Sequence, residues 1–132
     1  HHYGTPRDYV TGHLDPGRDM ILEIEIQGAL KVKEQYPEAV LVFVVPPDAA
    51  TLKARLLGRG TETPQVIEER MRRAVEESEG VERYDYLLVN DDLEACVEEL
   101  HQIMLCEHRK TAVNQELING IRTDLKRFVE GE

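Results

Sequence analysis

The chain contains no Trp and only two Phe, and aromatic residues make up 5 % of its 132 residues. Proteins that hold single-stranded nucleic acid rely on aromatic side chains for stacking, so a stacking platform is excluded. Basic residues are the minority charge. Lys and Arg number 16 against 26 Asp and Glu, a formal net charge of −10. That balance excludes a general binder of phosphate backbones but leaves room for a small local cationic pocket. Cysteine is scarce, and Cys96 and Cys106 are too few for a disulfide framework. Both fall on one expected helix, where residues ten apart cannot meet, so free thiols in a reducing cytoplasm are expected. Long apolar runs are missing as well. The longest, Ala39 to Val45, has seven residues, far below a membrane span. The first residues, His1-His2-Tyr3-Gly4-Thr5, show neither an initiator Met nor a charged-then-apolar leader pattern. A piece of a longer protein, or a tag remnant, is the expectation.

What is present suffices for one domain. An apolar share of 41 % allows a core and is too high for a disordered acidic tail. Thr5-Pro6 is a helix start, a hydroxyl cap followed by Pro at the first helical position, with the helix running to about His13. Asp15-Pro16-Gly17 reads as a turn. Met20 to Ile24 is a strand candidate. Ile26 to Tyr36 has helical apolar spacing and stops at Pro37. Ala39 to Val45 reads as a strand buried on both faces. Asp48 caps a helix to about Leu57, and Gly58-Arg59-Gly60 breaks it. Thr63-Pro64 opens a charged helix to about Glu79. Tyr86 to Asn90 is a third strand, followed by a helix from Leu93 to His108 with apolar residues on one face. A last amphipathic stretch carries Val113, Leu117, Ile121 and Leu125. Asn119-Gly120 is its weak point, and a partly frayed tail is expected there. Strands alternating with helices predict an α/β architecture, a parallel sheet flanked by helices. Three strands alone would leave long edges, a second indication of an incomplete sheet.

Two groups of residues can carry chemistry. Glu23 and Glu25 stand two apart where a strand ends, so both carboxylates face one side. Ligands of open α/β sheets lie beyond the carboxyl ends of strands. Two acids there can organise Mg²⁺ and its waters or accept hydrogen bonds from a base or sugar. The alternative is a strand running out into solvent. Arg55 and Arg59 are spaced to share a helix face, and Arg70 lies on the next helix with Arg72 and Arg73 nearby. These guanidiniums flank a Gly-x-Gly break, as expected of a lid folding over an anionic ligand. The alternative is a solvated charged surface with Glu62, Glu68, Glu69, Glu76 and Glu77 as partners. Asn90-Asp91-Asp92 lacks the spacing and Gly of a calcium loop and reads as a turn. Cys96, His101, Cys106 and His108 lack zinc-ligand spacing. There is no Gly-x-Ser-x-Gly and no nucleophilic triad.

Several motifs occur in order along residues 1 to about 108. They are Tyr3-Gly4-Thr5-Pro6, Ile21-Leu22-Glu23-Ile24-Glu25-Ile26-Gln27-Gly28-Ala29, and Phe43 through Pro46-Pro47. Next come Leu52 to Thr63 with Gly58-Arg59-Gly60-Thr61-Glu62-Thr63, then Arg70 with Ala74 and Glu77, Tyr84-Asp85-Tyr86, and Val89-Asn90-Asp91-Asp92. In this order they resemble guanylate kinase, which phosphorylates GMP with ATP. The paired Glu, where many members have Asp, is similar to Gram-positive-type bacterial enzymes. The resemblance implies a P-loop-kinase-type sheet with a helical lid, the lid at about 48–80 and a helical tail at about 109–132. It implies that Tyr3 bonds the GMP phosphate and that Thr5 lies near the guanine. Glu23 and Glu25 would sit between the nucleotides, Glu23 reaching Mg²⁺ through water. Arg55, Arg59 and Arg70 would clamp the transferring phosphoryl group and the ATP end, and Asn90 would sit by the adenine. GMP and Mg²⁺-bound ATP are the implied ligands, with no nucleic acid and no membrane.

One family part is missing from the sequence. The P-loop run Gly-x-x-x-x-Gly-Lys-[Ser/Thr], whose amides and Lys hold ATP phosphates, does not occur. Roughly the first two-fifths of the family chain is expected to be absent, which predicts a chain inactive by itself within an active parent. Two other readings stand beside this one. A catalytically dead interaction module is disfavoured because the lid arginines and acids are retained. A P-loop-free nucleotide-binding or self-associating domain would form homo-oligomers through a sheet edge or the C-terminal helix.

Overall fold

The computed structural model describes residues 19–60 and 62–131. The expected Thr5 helix, the Asp15-Pro16-Gly17 turn, Tyr3 and Thr61 lie outside that range. In chain order the elements are α1 (Ile26–Gln35), β1 (Val42–Val45), α2 (Ala49–Gly58), α3 (Pro64–Ser78), β2 (Tyr86–Val89), α4 (Leu93–Glu107) and α5 (Gln115–Val129). Short 3₁₀ turns at Val81–Arg83 and Thr111–Val113 precede β2 and α5. The two strands form one sheet. Leu41 O accepts from the N–H groups of Asp85 and Tyr86, and Val45 O accepts from Asn90 N–H. Partner numbers rise together along both strands, so the pair is parallel. The α/β class expected from the alternation is therefore present.

The chain divides into two compact units. One takes the chain through Phe43 together with Lys53–Leu87. Its buried residues are Ala29, Leu41, Leu56 and Ile67. Asp85 ties three segments of this unit together. Its Oδ2 accepts from the Leu41 N–H at 2.8 Å and pairs with Lys33 Nζ at 3.4 Å. Lys33 also donates to Ala39 O, which joins α1 to the approach of β1. Both members of the Lys33–Asp85 pair are about a third exposed, so the ion pair itself contributes little. The backbone bond matters more, because a part-buried N–H left without its acceptor costs about 1–3 kcal/mol. Phe43 and Tyr84 meet edge to face, with centroids 4.9 Å apart. At Gly80 a Cβ would run into the Ile26 side chain, so glycine lets the end of α3 approach the start of α1.

The second unit holds Val44–Leu52 and the chain from Leu88 onward. Asp48 Oδ1 accepts from Thr51 N–H at 2.7 Å, opening α2 with the expected cap. Asp92 does the same for α4 through Ala95 N–H. Leu88 and Cys96 are buried here, Cys106 is exposed, and both thiols are free. After α4 the Asn114 amide donates to the carbonyls of His108, which ends the helix, and Lys110, which begins the following 3₁₀ turn.

Three expectations need correction. Met20 to Ile24 is not a strand, because none of the described residues pairs with it in a ladder. It keeps an alternating pattern, with Met20, Leu22 and Ile24 half-buried and Ile21, Glu23 and Glu25 exposed. The sheet therefore has two strands rather than three among the described residues. The apolar run is also not buried on both faces: β1 covers only Val42–Val45, and Val40 and Val44 are exposed. Finally, the tail is not frayed at Asn119-Gly120. Helix α5 runs unbroken through both residues, with Thr123 Oγ1 donating to Asn119 O. One residue of low helix propensity costs about 1 kcal/mol, too little to interrupt a helix with this many good formers around it.

Candidate functional site

Helix α3 is built to begin sharply. Thr63 Oγ1 accepts from Val66 N–H, and Pro64 occupies the first helical position, where its missing N–H has no partner to lose. Ahead of it Gly60 takes φ +68°, a conformation that side chains with a Cβ rarely adopt. The left-handed residue turns the chain between α2 and α3. Arg55 lies in the last turn of α2. Arg59 falls in the turn beyond α2, so it does not share a helix face with Arg55 as the spacing suggested.

The turn brings charges together inside the first unit. Glu62, the residue before the Thr63 cap, keeps only 11 % of its side chain exposed. Its Oε2 stands 3.0 Å from Arg70 Nε and its Oε1 4.0 Å from a terminal nitrogen of Arg59. Helical side chains tilt toward the N-terminus, which sends the Arg70 guanidinium back up α3 toward Glu62. The helix N-terminus also favours a carboxylate at that place. Glu62 Oε2 is buried and has no aligned hydrogen-bond donor among the described residues. The contact with Arg70 is thus a charge contact without a well-directed N–H. Arg59 and Arg70 remain 61 % and 49 % exposed.

Arg72 behaves differently, pairing at 2.7 Å with Glu68 one turn back on the exposed side of α3. Arg72 thus fits a solvated charged surface; Arg59 and Arg70 are exposed too, but their shared partner Glu62 is nearly enclosed. Sequence reading treated Glu62 as one of several surface partners. A visible signal was its place between a Gly-x-Gly turn and a Thr-Pro cap, with an arginine on each side.

Glu23 and Glu25 are exposed on the same side of the extended segment, as period two requires. Glu25 also begins α1 through its backbone, with its carbonyl accepting from Ala29 N–H while its side chain makes no cap bond. Its carboxylate is therefore not used up by helix capping. No three His, Cys, Asp or Glu side chains gather as a metal-ligand group among the described residues. In the second unit Asn90 follows β2 and donates its N–H to Val45 O at 2.7 Å. Asp92 serves as the α4 cap, so the acids after β2 are partly explained by structure. Tyr3 and Thr5 lie outside the described residues. No helix among the described residues is long and apolar enough to cross a membrane.

Comparison with known proteins identifies the family of the chain. The family model described as guanylate kinase matches residues 1–107. A guanylate kinase of Halalkalibacterium halodurans is 50 % identical over 109 residues, covering 83 % of this chain and 53 % of that protein. One from Caldanaerobacter subterraneus subsp. tengcongensis is 42 % identical over 124 residues, covering 94 % of this chain and 60 % of the relative. The Enterococcus faecalis guanylate kinase is 50 % identical over 107 residues, 81 % of this chain and 52 % of its own. The chain thus spans about half the length of the curated relatives it matches. With a family match over most of its length and 42–50 % identity to these relatives over the aligned residues, the chain belongs to the guanylate kinase family.

Proposed function

We propose that this chain supplies the lid and part of the nucleotide site of an enzyme that transfers the γ-phosphoryl group of ATP to GMP, giving GDP and ADP. The observation that carries the reading is the Arg59–Glu62–Arg70 cluster, two guanidiniums gathered across a glycine turn. In the transfer a GMP phosphate oxygen bonds to the γ-phosphorus while the bond from that phosphorus to the bridging oxygen of ADP breaks. Negative charge shifts onto the transferring group and the leaving oxygen. No covalent enzyme intermediate is needed, so catalysis rests on positioning and charge stabilisation. Arg55, Arg59 and Arg70 do this work as donors on a lid spanning about 48–80. Glu23 and Glu25 lie between the nucleotides, with Glu25 toward GMP. Mg²⁺ comes in with ATP as part of the substrate, and Glu23 touches its hydration shell rather than the ion. Tyr3 binds the GMP phosphate, Thr5 lies near the guanine, and Asn90 lies beside the adenine. The segment at about 109–132 is a helical tail outside this chemistry.

The test is a coupled assay of ADP release from ATP on adding GMP, made on the native protein expressed from its complete gene. Arg59→Ala is expected to lower kcat by about 10²–10³-fold, with little change in thermal midpoint because the side chain is mostly exposed. Absence of GMP-dependent ADP formation by the wild-type protein would reject the reading. Unchanged turnover in Arg59→Ala would reject the role of the lid arginine.

A further inference from the structure

Glu62 stands out as a carboxylate that the proposed chemistry does not use. It is nearly enclosed, carries a charge, and has one oxygen without an aligned donor among the described residues. A buried charge of this kind is normally kept only where a partner requires it. Its partners are two arginines, Arg59 within the Gly58–Gly60 turn and Arg70 on α3. Arg70 is engaged at Nε, the nitrogen at the base of the guanidinium. That contact does not draw on the two terminal nitrogens, which form the planar fork that grips phosphate oxygens.

We infer that Glu62 is a positioning residue of the lid. It holds Arg70 by Nε and draws Arg59 toward the same point, so that both guanidiniums face an incoming phosphoryl group already oriented. This rests on the phosphotransfer reading above and adds a specific role to a residue outside the direct chemistry. Arginine is required at position 70 for the same reason: a lysine has one cationic nitrogen and cannot bond Glu62 at one atom while presenting a fork with two others. The charge contact at Oε2 is held by proximity rather than by a directed hydrogen bond. Glu62 can therefore follow a small rotation of the guanidinium when the fork takes hold of a phosphate.

The experiment uses the native protein with Glu62→Ala, Glu62→Gln and Glu62→Asp, in two independent arms. In the kinetic arm, Glu62→Ala is expected to lower kcat by about ten- to a hundredfold, the scale of a misplaced catalytic group. The KM for GMP should stay unchanged, and Glu62→Asp should recover part of kcat because it keeps the charge on a shorter arm. In the second arm, arginine ¹⁵Nε–Hε NMR signals are followed while inorganic tripolyphosphate is added. The wild-type Arg70 signal should shift on titration. In Glu62→Ala the titration should move to weaker binding. Glu62→Gln, nearly the same size, separates loss of charge from loss of packing and should behave like Glu62→Ala in both arms. Equal or tighter tripolyphosphate binding by Glu62→Ala would overturn the inference, since Glu62 would then be a spectator or a competitor for the arginines. Kinetics unchanged across all three variants would overturn it as well. If the wild-type protein makes no GDP, the phosphotransfer reading falls and the NMR arm alone decides the role of Glu62.

Discussion

Tyr84 shows how a single residue can report its surroundings. Its phenol sits edge-on to Phe43, and its pKa is raised from 10.0, first by burial and then by the nearby negative charge of Glu77. Both causes disfavour the phenolate, so the folded chain holds this proton more tightly than the unfolded chain does. The resulting stabilisation is fully present below the unfolded pKa and is lost as pH rises through the folded one. Ultraviolet titration of tyrosine ionisation should lose a component above 10.0 in Tyr84→Phe. That component should move down in Glu77→Gln. A Tyr84 midpoint at or below 10.0 would refute the assignment. The residue scale is also where the sequence was hardest to read. Arg55, Arg59 and Arg70 stood out by type, but Glu62 did not. A charged residue betrays its burial only through neighbours brought by a turn, here the positive φ of Gly60, and no periodicity encodes that.

Elements were far more legible. Asp48 and Thr63 each precede a helix and accept the expected N–H, while Asp92, expected only as part of a turn, caps α4 in the same way. Caps are local chemistry, complete within three or four residues, so the sequence shows them directly. Strands are not local, which is why Met20 to Ile24 kept its alternation yet formed no ladder. A strand needs a neighbour's N–H and C=O groups, and its own sequence cannot supply them. The side to which Glu23 and Glu25 point was readable because alternation persists in an extended chain without a partner. Helix α5 stays continuous because the cost of one glycine is small beside the helix formers around it. Gly120 lies within that helix, and a Cβ placed there meets nothing within 4 Å. Gly120→Ala should therefore stabilise α5 by about 1 kcal/mol. Slower amide exchange across Leu117–Thr123 would register the gain, while faster exchange would show that the helix depends on glycine there.

At the scale of the whole chain, a large part of the apolar content remains outside. Leu117, Ile121 and Leu125 lie on one face of α5 and are exposed, as are Val44 and Leu87 in the strands. Exposed apolar side chains have little burial to lose, and surface substitutions usually change stability by within about 0.5 kcal/mol. The combined variant Leu117→Gln, Ile121→Gln, Leu125→Gln should unfold at nearly the wild-type urea midpoint while binding less of a fluorescent apolar dye. A large fall in the midpoint would mean that these side chains are buried in solution. The charge of −10 acts at the same scale, as a repulsion between copies of the chain.

The parallel run of β1 and β2 obliges the chain to leave Val45 and travel back before it can begin Tyr86. The stretch from Pro46 to Asp85 is thus a handle riveted at both ends to adjoining strands. Such a handle cannot slide out or swing away as a flap with a loose end would. Within it Gly60 takes a left-handed turn, and the residues on either side of that turn leave and rejoin the sheet at adjoining strands.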